Sequence, residues 1–176
     1  MEVGEQLCLA CGLCCDGSLF GHVRLGLQDD AKKLKALGLP VSISRTHTPV
    51  LRFRQPCSAL CEDRRCRVYA DRPSQCRTFE CRVFQDVQAG RSEFPAALRL
   101  VNLAWRRANR VRALLRKLGD TEEHRSLNER FHRAQTRMES GAVEAGQGEV
   151  FAELTQAVHS FQLLAHDAFY TRPGAE

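Results

Sequence analysis

The sequence contains no apolar run that approaches the roughly 18–20 residues needed by a membrane-spanning helix. Its first residues, MEVGEQLCLACG, have neither a basic start nor an apolar stretch, so we expect no signal peptide. Cysteine is absent after Cys81, and no P-loop, dinucleotide fingerprint or serine-nucleophile motif occurs. We therefore expect a cytoplasmic protein without a membrane span.

Nine cysteines lie between Cys8 and Cys81. In a reducing compartment, clustered thiols bind metal or carry out redox chemistry more often than they form stable disulfides. A secreted disulfide scaffold is the alternative, but the odd number of cysteines would leave one thiol unpaired. The cysteine pattern therefore favours a metal or redox centre.

The first cysteine group is the run CLACGLCCDG, from Cys8 to Gly17. Two residues between successive cysteines allow both thiolates to reach one metal ion, and Gly12 tolerates the positive φ of a tight turn. Neighbouring side chains diverge, so Cys14 and Cys15 are expected to serve different metals or different corners of one cluster. CxxCxxCC followed by five more cysteines is a specific signal for metal binding.

The second cysteine group lies in PCSALCEDRRCRVYADRPSQCRTFEC, which ends at Cys81. Together with CxxCxxCC, the elements P-C-x-x-L and C-x-V-Y-x-x-R-P-x-x-C-R-x-F resemble the YkgJ-type cysteine-cluster proteins. The resemblance covers Cys8 to about Phe84 and implies a zinc- or iron-chelating domain. It nominates eight metal ligands: Cys8, Cys11, Cys14, Cys15, Cys57, Cys66, Cys76 and Cys81.

Cys61 departs from the family pattern, in which no thiol follows Leu60. Eight ligands would also fill two tetrahedral sites and leave the ninth cysteine spare. Arg72 and Arg77 are predicted to offset the negative charge of the thiolates from around the metal, and Pro73 to fix the turn that returns Cys76 towards Cys66. His22 and His47 are alternative ligands.

The identity of the metal remains open. Zinc is the first choice because two all-thiolate sites with no open position are typical of structural zinc. Iron, or a [4Fe–4S] cluster, is the alternative, since C-x-x-C-x-x-C also occurs in ferredoxins, where a remote cysteine completes the cluster. A related CxxCxxCC module in flagellin lysine methylases likewise implies an iron–sulfur cluster.

The chain is predicted to be α+β, with a cysteine-rich module at residues 1–90 and a helical extension at 91–176. Alternating residues predict strands at His22–Leu27 and Val50–Arg54, with a short helix between them capped by Asp29 or Asp30. The first half is too small to bury much core, so metal is expected to contribute to its folding.

Apolar stripes predict three helices in the second half. The predicted helices begin near Pro95, at Asp120 or Thr121, and near Val150. For the second helix, Asp120 together with Glu123 suggests a capping box. The first, residues 95–119, carries seven basic residues and no acidic one. It is interpreted as a solvated face that could dock an acidic protein partner. Glu129 and His132 form an E-x-x-H pattern, which is interpreted as an exposed helix face.

The sequence therefore predicts a metal-binding protein in which the metal organises the fold. The second hypothesis is an iron–sulfur protein acting in redox or methyl-transfer chemistry with a docking partner. A nucleic-acid-associated zinc module is a third, which the lack of interleaved exposed aromatics on the basic helix disfavours. Whether the chain is an enzyme, and on what it acts, stays open.

Overall fold

The computed structural model describes residues 3–44, 49–141 and 146–170. Within them the chain forms seven α-helices, a 3-10 turn and one three-stranded sheet, which confirms the predicted α+β class. The first half contains α1 (Val3–Cys11), β1 (His22–Arg24), α2 (Ala31–Ala36), β2 (Ser42–Ile43), β3 (Leu51–Arg54), the 3-10 turn Tyr69–Asp71, α3 (Ser74–Thr78) and α4 (Arg82–Gln88). The second half contains α5 (Phe94–Lys117), α6 (Leu127–Glu139) and α7 (Gln147–Ala168).

The sheet is antiparallel, with β3 between β1 and β2. Val23 lies opposite Phe53, and both side chains are buried. The alternation predicted for these two strands is therefore confirmed, although β1 ends at Arg24 rather than Leu27. The two-residue strand β2 is too short to leave a sequence pattern.

Helix α2 begins as predicted, because the Asp30 carboxylate accepts hydrogen bonds from the amides of Lys32 and Lys33 at 2.9 and 3.0 Å. Such side-chain caps satisfy amides that have no partner inside the helix. The cap fixes the segment that leads from β1 to β2.

Two separate cores hold the molecule together. The larger core joins α1 and α4 to α5, α6 and α7, with Leu13, Ala97, Leu115 and Leu154 fully buried. The smaller core lies beneath the sheet and contains Val23, Leu34, Phe53 and Val68 among its buried residues. Residues on both sides of Gly90 contribute to the larger core, so the helical half packs directly against the first cysteine group.

The predicted start of the second long helix is wrong. Helix α6 begins after Ser126, whose hydroxyl accepts the hydrogen bond from the Glu129 amide at 3.4 Å. Asp120 is instead buried in an ion pair with Arg130, with Oδ2 and Nε 2.6 Å apart. Glu123 pairs with Arg116 rather than closing a capping box. Because Asp120 pairs with Arg130, it does not serve as the helix cap that the sequence suggested.

The arginines of α5 are largely bound within the chain itself. Arg110 pairs with Glu153, and Arg116 with Glu123. Arg107 donates to the carbonyl of Ser160 at 2.6 Å, and Arg112 pairs with Asp16. These contacts account for much of the basic face without an acidic partner. Among the described residues, no helix combines the length and apolar character needed to cross a membrane.

Candidate metal centre

The first four cysteines lie at the end of α1 and in the turn that follows it. Cys8 and Cys11 are three residues apart in the helix, and the chain then turns at Gly12, whose φ is +67°. The amides of Cys15 and Asp16 both bond to the Gly12 carbonyl, at 2.9 and 3.1 Å. A Cβ at Gly12 would also lie 3.1 Å from the Arg64 carbonyl oxygen, so glycine is required for both conformation and space.

The second cysteine group is brought to the first by backbone contacts. The amide of Cys57 donates to the carbonyl of Cys15 at 2.7 Å. Leu60 and Cys66 form an isolated antiparallel bridge, which folds the intervening residues into a tight turn. Cys76 lies in α3, and Cys81 precedes α4, where its sulfur accepts the Phe84 amide at 3.4 Å.

One cavity of about 120 Å³ is lined by all eight cysteines that the resemblance nominates. Cys61 does not line it and is the one exposed cysteine of the nine, all of which lie in described residues. The amide of Cys61 bonds to the Arg65 carbonyl at 2.8 Å, on the outer side of the turn. The structure therefore brings the eight predicted ligands together and leaves the ninth outside.

The pKa of every thiol that lines this cavity is raised, chiefly by burial. Burial, followed by the charge of Cys81, raises the pKa of Cys8 to about 11. Burial raises the pKa of Cys11 and of Cys76 to about 12. Thiolates are costly in such a site because desolvation disfavours charge and neighbouring thiolates repel one another. A bound metal cation removes both penalties.

The electrostatic neighbours of most of these thiols fall into two groups that meet at Cys14 and Cys15. After burial, the pKa of Cys14 is raised by Cys11 and Cys81 and then by Cys15 and Cys8, whereas that of Cys15 is raised by Cys57, Cys76 and Cys66. Cys8 and Cys11 respond to Cys81, and Cys76 responds to Cys57 and Cys66. The adjacent residues Cys14 and Cys15 thus face different neighbours, as their diverging side chains predict.

Arg72 lies close to both sets of cysteines. Its charge lowers the pKa of Cys8, Cys66 and Cys76, opposing the effect of burial. The guanidinium stacks 3.4 Å from the centre of the Tyr69 ring and donates to the Tyr69 carbonyl at 2.8 Å. This position suits the predicted role of offsetting thiolate charge.

Arg77, the other arginine predicted to offset charge, faces elsewhere. Its guanidinium lies 3.9 Å from the carboxylate of Asp29, which also accepts the amide and hydroxyl of Ser74 at 2.7 and 2.8 Å. Arg67, which the sequence did not single out, lowers the pKa of both Cys57 and Cys66. The position of Arg67 directly after Cys66 in the sequence is the feature that could have predicted this effect.

His22 lies at the start of β1 and lines the cavity, where burial, followed by Arg52 and Arg24, lowers its pKa. His47, the other histidine considered as a ligand, lies outside the described residues. His132 is exposed on α6, as expected for a solvated helix face. His22 is therefore the histidine that stands near the thiols.

Helix α5 holds the first cysteine loop through two contacts that the sequence did not reveal. The indole Nε1 of Trp105 donates to the Cys11 carbonyl at 2.7 Å. Arg112 pairs with the buried carboxylate of Asp16 at 2.6 Å and donates to the Ser18 hydroxyl at 2.9 Å. The guanidinium groups of Arg64 and Arg112 also lie 4.3 and 5.4 Å from the Trp105 ring centre. The helical half thus fixes the backbone that carries the thiols.

The donor set fits a metal that prefers thiolates. Within the described residues, no group of three or more His, Cys, Asp or Glu side chains is already arranged as it would be around an ion. The eight thiols that line the cavity are nevertheless the kind of side chain that zinc and iron accept as ligands, and the charge of Arg72 acts on three of them.

A family model matches residues 7–96 of the 176-residue chain, just over half of its length. The family is CxxCxxCC, described as a "putative zinc- or iron-chelating domain". The matched segment includes all nine cysteines and ends within the first turn of α5. No curated protein and no solved structure matches the chain.

Proposed function

The chain belongs to the CxxCxxCC family, and from this premise we propose that it binds zinc through its eight enclosed cysteines. The observation that carries the proposal is the composition of the cavity, which all eight nominated thiols line and the ninth does not. Zinc is favoured because eight thiolates are the number that fills two tetrahedral all-thiolate sites, a common form of zinc site in proteins.

The metal is proposed to organise the sheet and the smaller core beneath it. The core beneath the sheet contains eight buried residues, few for an independently stable unit. Three nominated ligands, Cys57, Cys66 and Cys76, pack against this core. Structural zinc contributes about 10–16 kcal/mol of apparent binding energy in small modules, more than such a core can provide.

Iron–sulfur chemistry is the second candidate. Cys8, Cys11 and Cys14 are spaced as in bacterial ferredoxins, where a remote cysteine completes the cluster. Cys81 acts electrostatically on all three and is the remote cysteine available. A cluster there would support the redox or methyl-transfer role that the sequence left open.

The experiment that separates the two candidates is metal analysis of protein purified without oxygen, combined with its absorption spectrum. Zinc predicts a colourless protein that contains stoichiometric zinc and no acid-labile sulfide. An iron–sulfur cluster predicts a brown protein with both iron and sulfide. Cys61→Ser should behave as the wild type, whereas Cys57→Ser should lose metal; a metal-free wild type would overturn the proposal.

A further inference from the structure

We propose that the eight thiols form two separate four-cysteine sites, a closed site that retains its metal and an exchange site that releases its metal faster. The closed site comprises Cys8, Cys11, Cys14 and Cys81. The exchange site comprises Cys15, Cys57, Cys66 and Cys76. This inference rests on the proposed function, because it assigns ligands within the same metal centre.

The division follows from where the chain places each sulfur. Cys8 and Cys11 share α1, Cys14 lies in the turn after it, and Cys81 starts α4, which packs against α1. Cys15 is instead tied to the second group by the 2.7 Å hydrogen bond from the Cys57 amide. The peptide bond between Cys14 and Cys15 is therefore the boundary between the two sites.

Packing against the two cores gives the same division for six of the eight thiols. Cys11, Cys14 and Cys81 belong to or contact the larger core, which includes α5 and α7. Cys57, Cys66 and Cys76 contact the smaller core beneath the sheet. None of these six cysteines contacts both cores, so a single cluster joining all eight would have to draw its ligands from both cores across the one cavity.

The closed site lies against buried leucines of α1 and of the turn that follows it. Leu7 and Leu13, on either side of Cys8 and Cys11, are 2% and 0% exposed. The indole of Trp105 in α5 also holds the carbonyl of Cys11 at the end of α1. Release of a metal from this site is therefore expected to disturb the packing of α1 against α5.

The exchange site is enclosed by smaller elements. Cys76 lies in a five-residue helix, and Cys57 and Cys66 lie in a turn rather than a long element. Cys66 is half-buried, and its neighbours Arg65 and Arg67 are exposed. Local opening costs less where few buried apolar contacts must break, so this site should exchange its metal faster.

The test is zinc release from the full-length, zinc-loaded protein into an excess of a chromogenic chelator under reducing conditions. Two equal phases are expected, each of one zinc ion per chain, with rates that differ by about tenfold or more. Alkylation of freed thiols followed by mass spectrometry identifies the site that opens first. Cys57, Cys66 and Cys76 should be labelled in the fast phase, and Cys8, Cys11 and Cys14 in the slow phase.

The labelling experiment needs no variant, so a misfolded substitution cannot obscure the answer. As a supplement, Cys66→Ser should remove the fast phase alone, with Cys61→Ser retaining both phases as the matched control. One zinc ion per chain, a single release phase, or labelling of both sets at one rate would overturn the two-site inference. Protein that binds no zinc would instead overturn the proposed function.

Discussion

The indole nitrogen of Trp105 lies 2.7 Å from the carbonyl oxygen of Cys11 and donates a hydrogen bond to it across 94 residues of sequence. Cys11 is the last residue of α1, and Trp105 lies in the middle of α5. The contact links the long helix of the second half to the backbone that carries the first thiols. It also places the chain's single tryptophan beside the backbone of the first cysteine group.

Replacing this tryptophan should lower the free energy of unfolding of the protein while leaving its metal content intact. Trp105→Phe keeps an aromatic ring but removes the donor, leaving the Cys11 carbonyl without this bond, at a cost of about 1–2 kcal/mol. Chemical denaturation of zinc-loaded protein measures the loss. Leu100→Ala, on an exposed part of the same helix, is the control and should change stability by less; equal effects would contradict the role given to Trp105.

The two arginines predicted from sequence to offset thiolate charge should behave differently. Arg72→Gln should lower zinc affinity about tenfold, because outer-shell groups that support a metal site typically contribute 10–100-fold and this one is partly exposed. Arg77→Gln should leave affinity nearly unchanged, since Arg77 faces Asp29. Competition titration against a zinc chelator measures both, and equal losses would show that Arg72 has no special position.

Local patterns account for part of the fold, and the remainder depends on contacts distant in sequence. Alternation at Val23 and Phe53 predicted two strands, and apolar stripes predicted α5 and α7. Asp120 and Ser126 are each followed three residues later by glutamate, so both resemble caps. The buried pairing of Asp120 with Arg130 leaves Ser126 as the cap. That outcome depends on tertiary packing, which no local pattern records.

The candidate site likewise depends in part on contacts between residues distant in sequence. The spacing of Cys8, Cys11 and Cys14 and the family resemblance together nominated all eight cavity-lining thiols. They did not indicate that Cys81 would join the first group, because that depends on α4 packing against α1. Helix α1 was not predicted, since C-x-x-C spacing is compatible with both a helix and a turn. The sequence around Trp105 shows only the apolar periodicity of a helix and gives no sign of its hydrogen bond to Cys11.

Removing the metal should first unfold the sheet and the smaller core beneath it. Structural zinc contributes about 10 kcal/mol or more, against a total stability of about 5–15 kcal/mol for a typical domain. Chelation under reducing conditions should therefore abolish hydrogen-exchange protection in β1 and β3 and lower the melting temperature of the helical half. Adding zinc back should restore both properties. Metal-free protein with an unchanged melting curve would show that the metal does not organise the fold.

Zinc loading should release protons and weaken as the pH falls. Burial raises the pKa of Cys8 to about 11 and of Cys11 to about 12, so these thiols are protonated near neutral pH in the metal-free protein. Metal binds the deprotonated form, and the displaced protons enter solution. Lower pH opposes that release and therefore opposes binding. Calorimetry in two buffers of different ionisation enthalpy counts the protons; a count of zero would mean that the thiols are not the ligands.

Cys61 should be the dispensable cysteine, although it lies only four residues from Cys57. It is exposed, and it does not line the cavity, whereas Cys57 lines it and bonds through its amide to Cys15. Removing a true ligand opens a coordination position and forfeits several kcal/mol of metal-coupled folding. Replacing an exposed thiol by serine costs about 0.5 kcal/mol or less.

Cys61→Ser should therefore retain full zinc stoichiometry and stability, while Cys57→Ser, Cys66→Ser and Cys76→Ser should each lose metal. Metal content by mass spectrometry and thermal melting of the four variants provide the comparison. Because Cys61 lies beside Cys66 and raises its pKa, inward rotation of the turn is the one route by which Cys61 could replace a ligand. If Cys61→Ser lost as much zinc as Cys57→Ser, Cys61 would belong to the ligand set and one of the eight cavity-lining thiols would not.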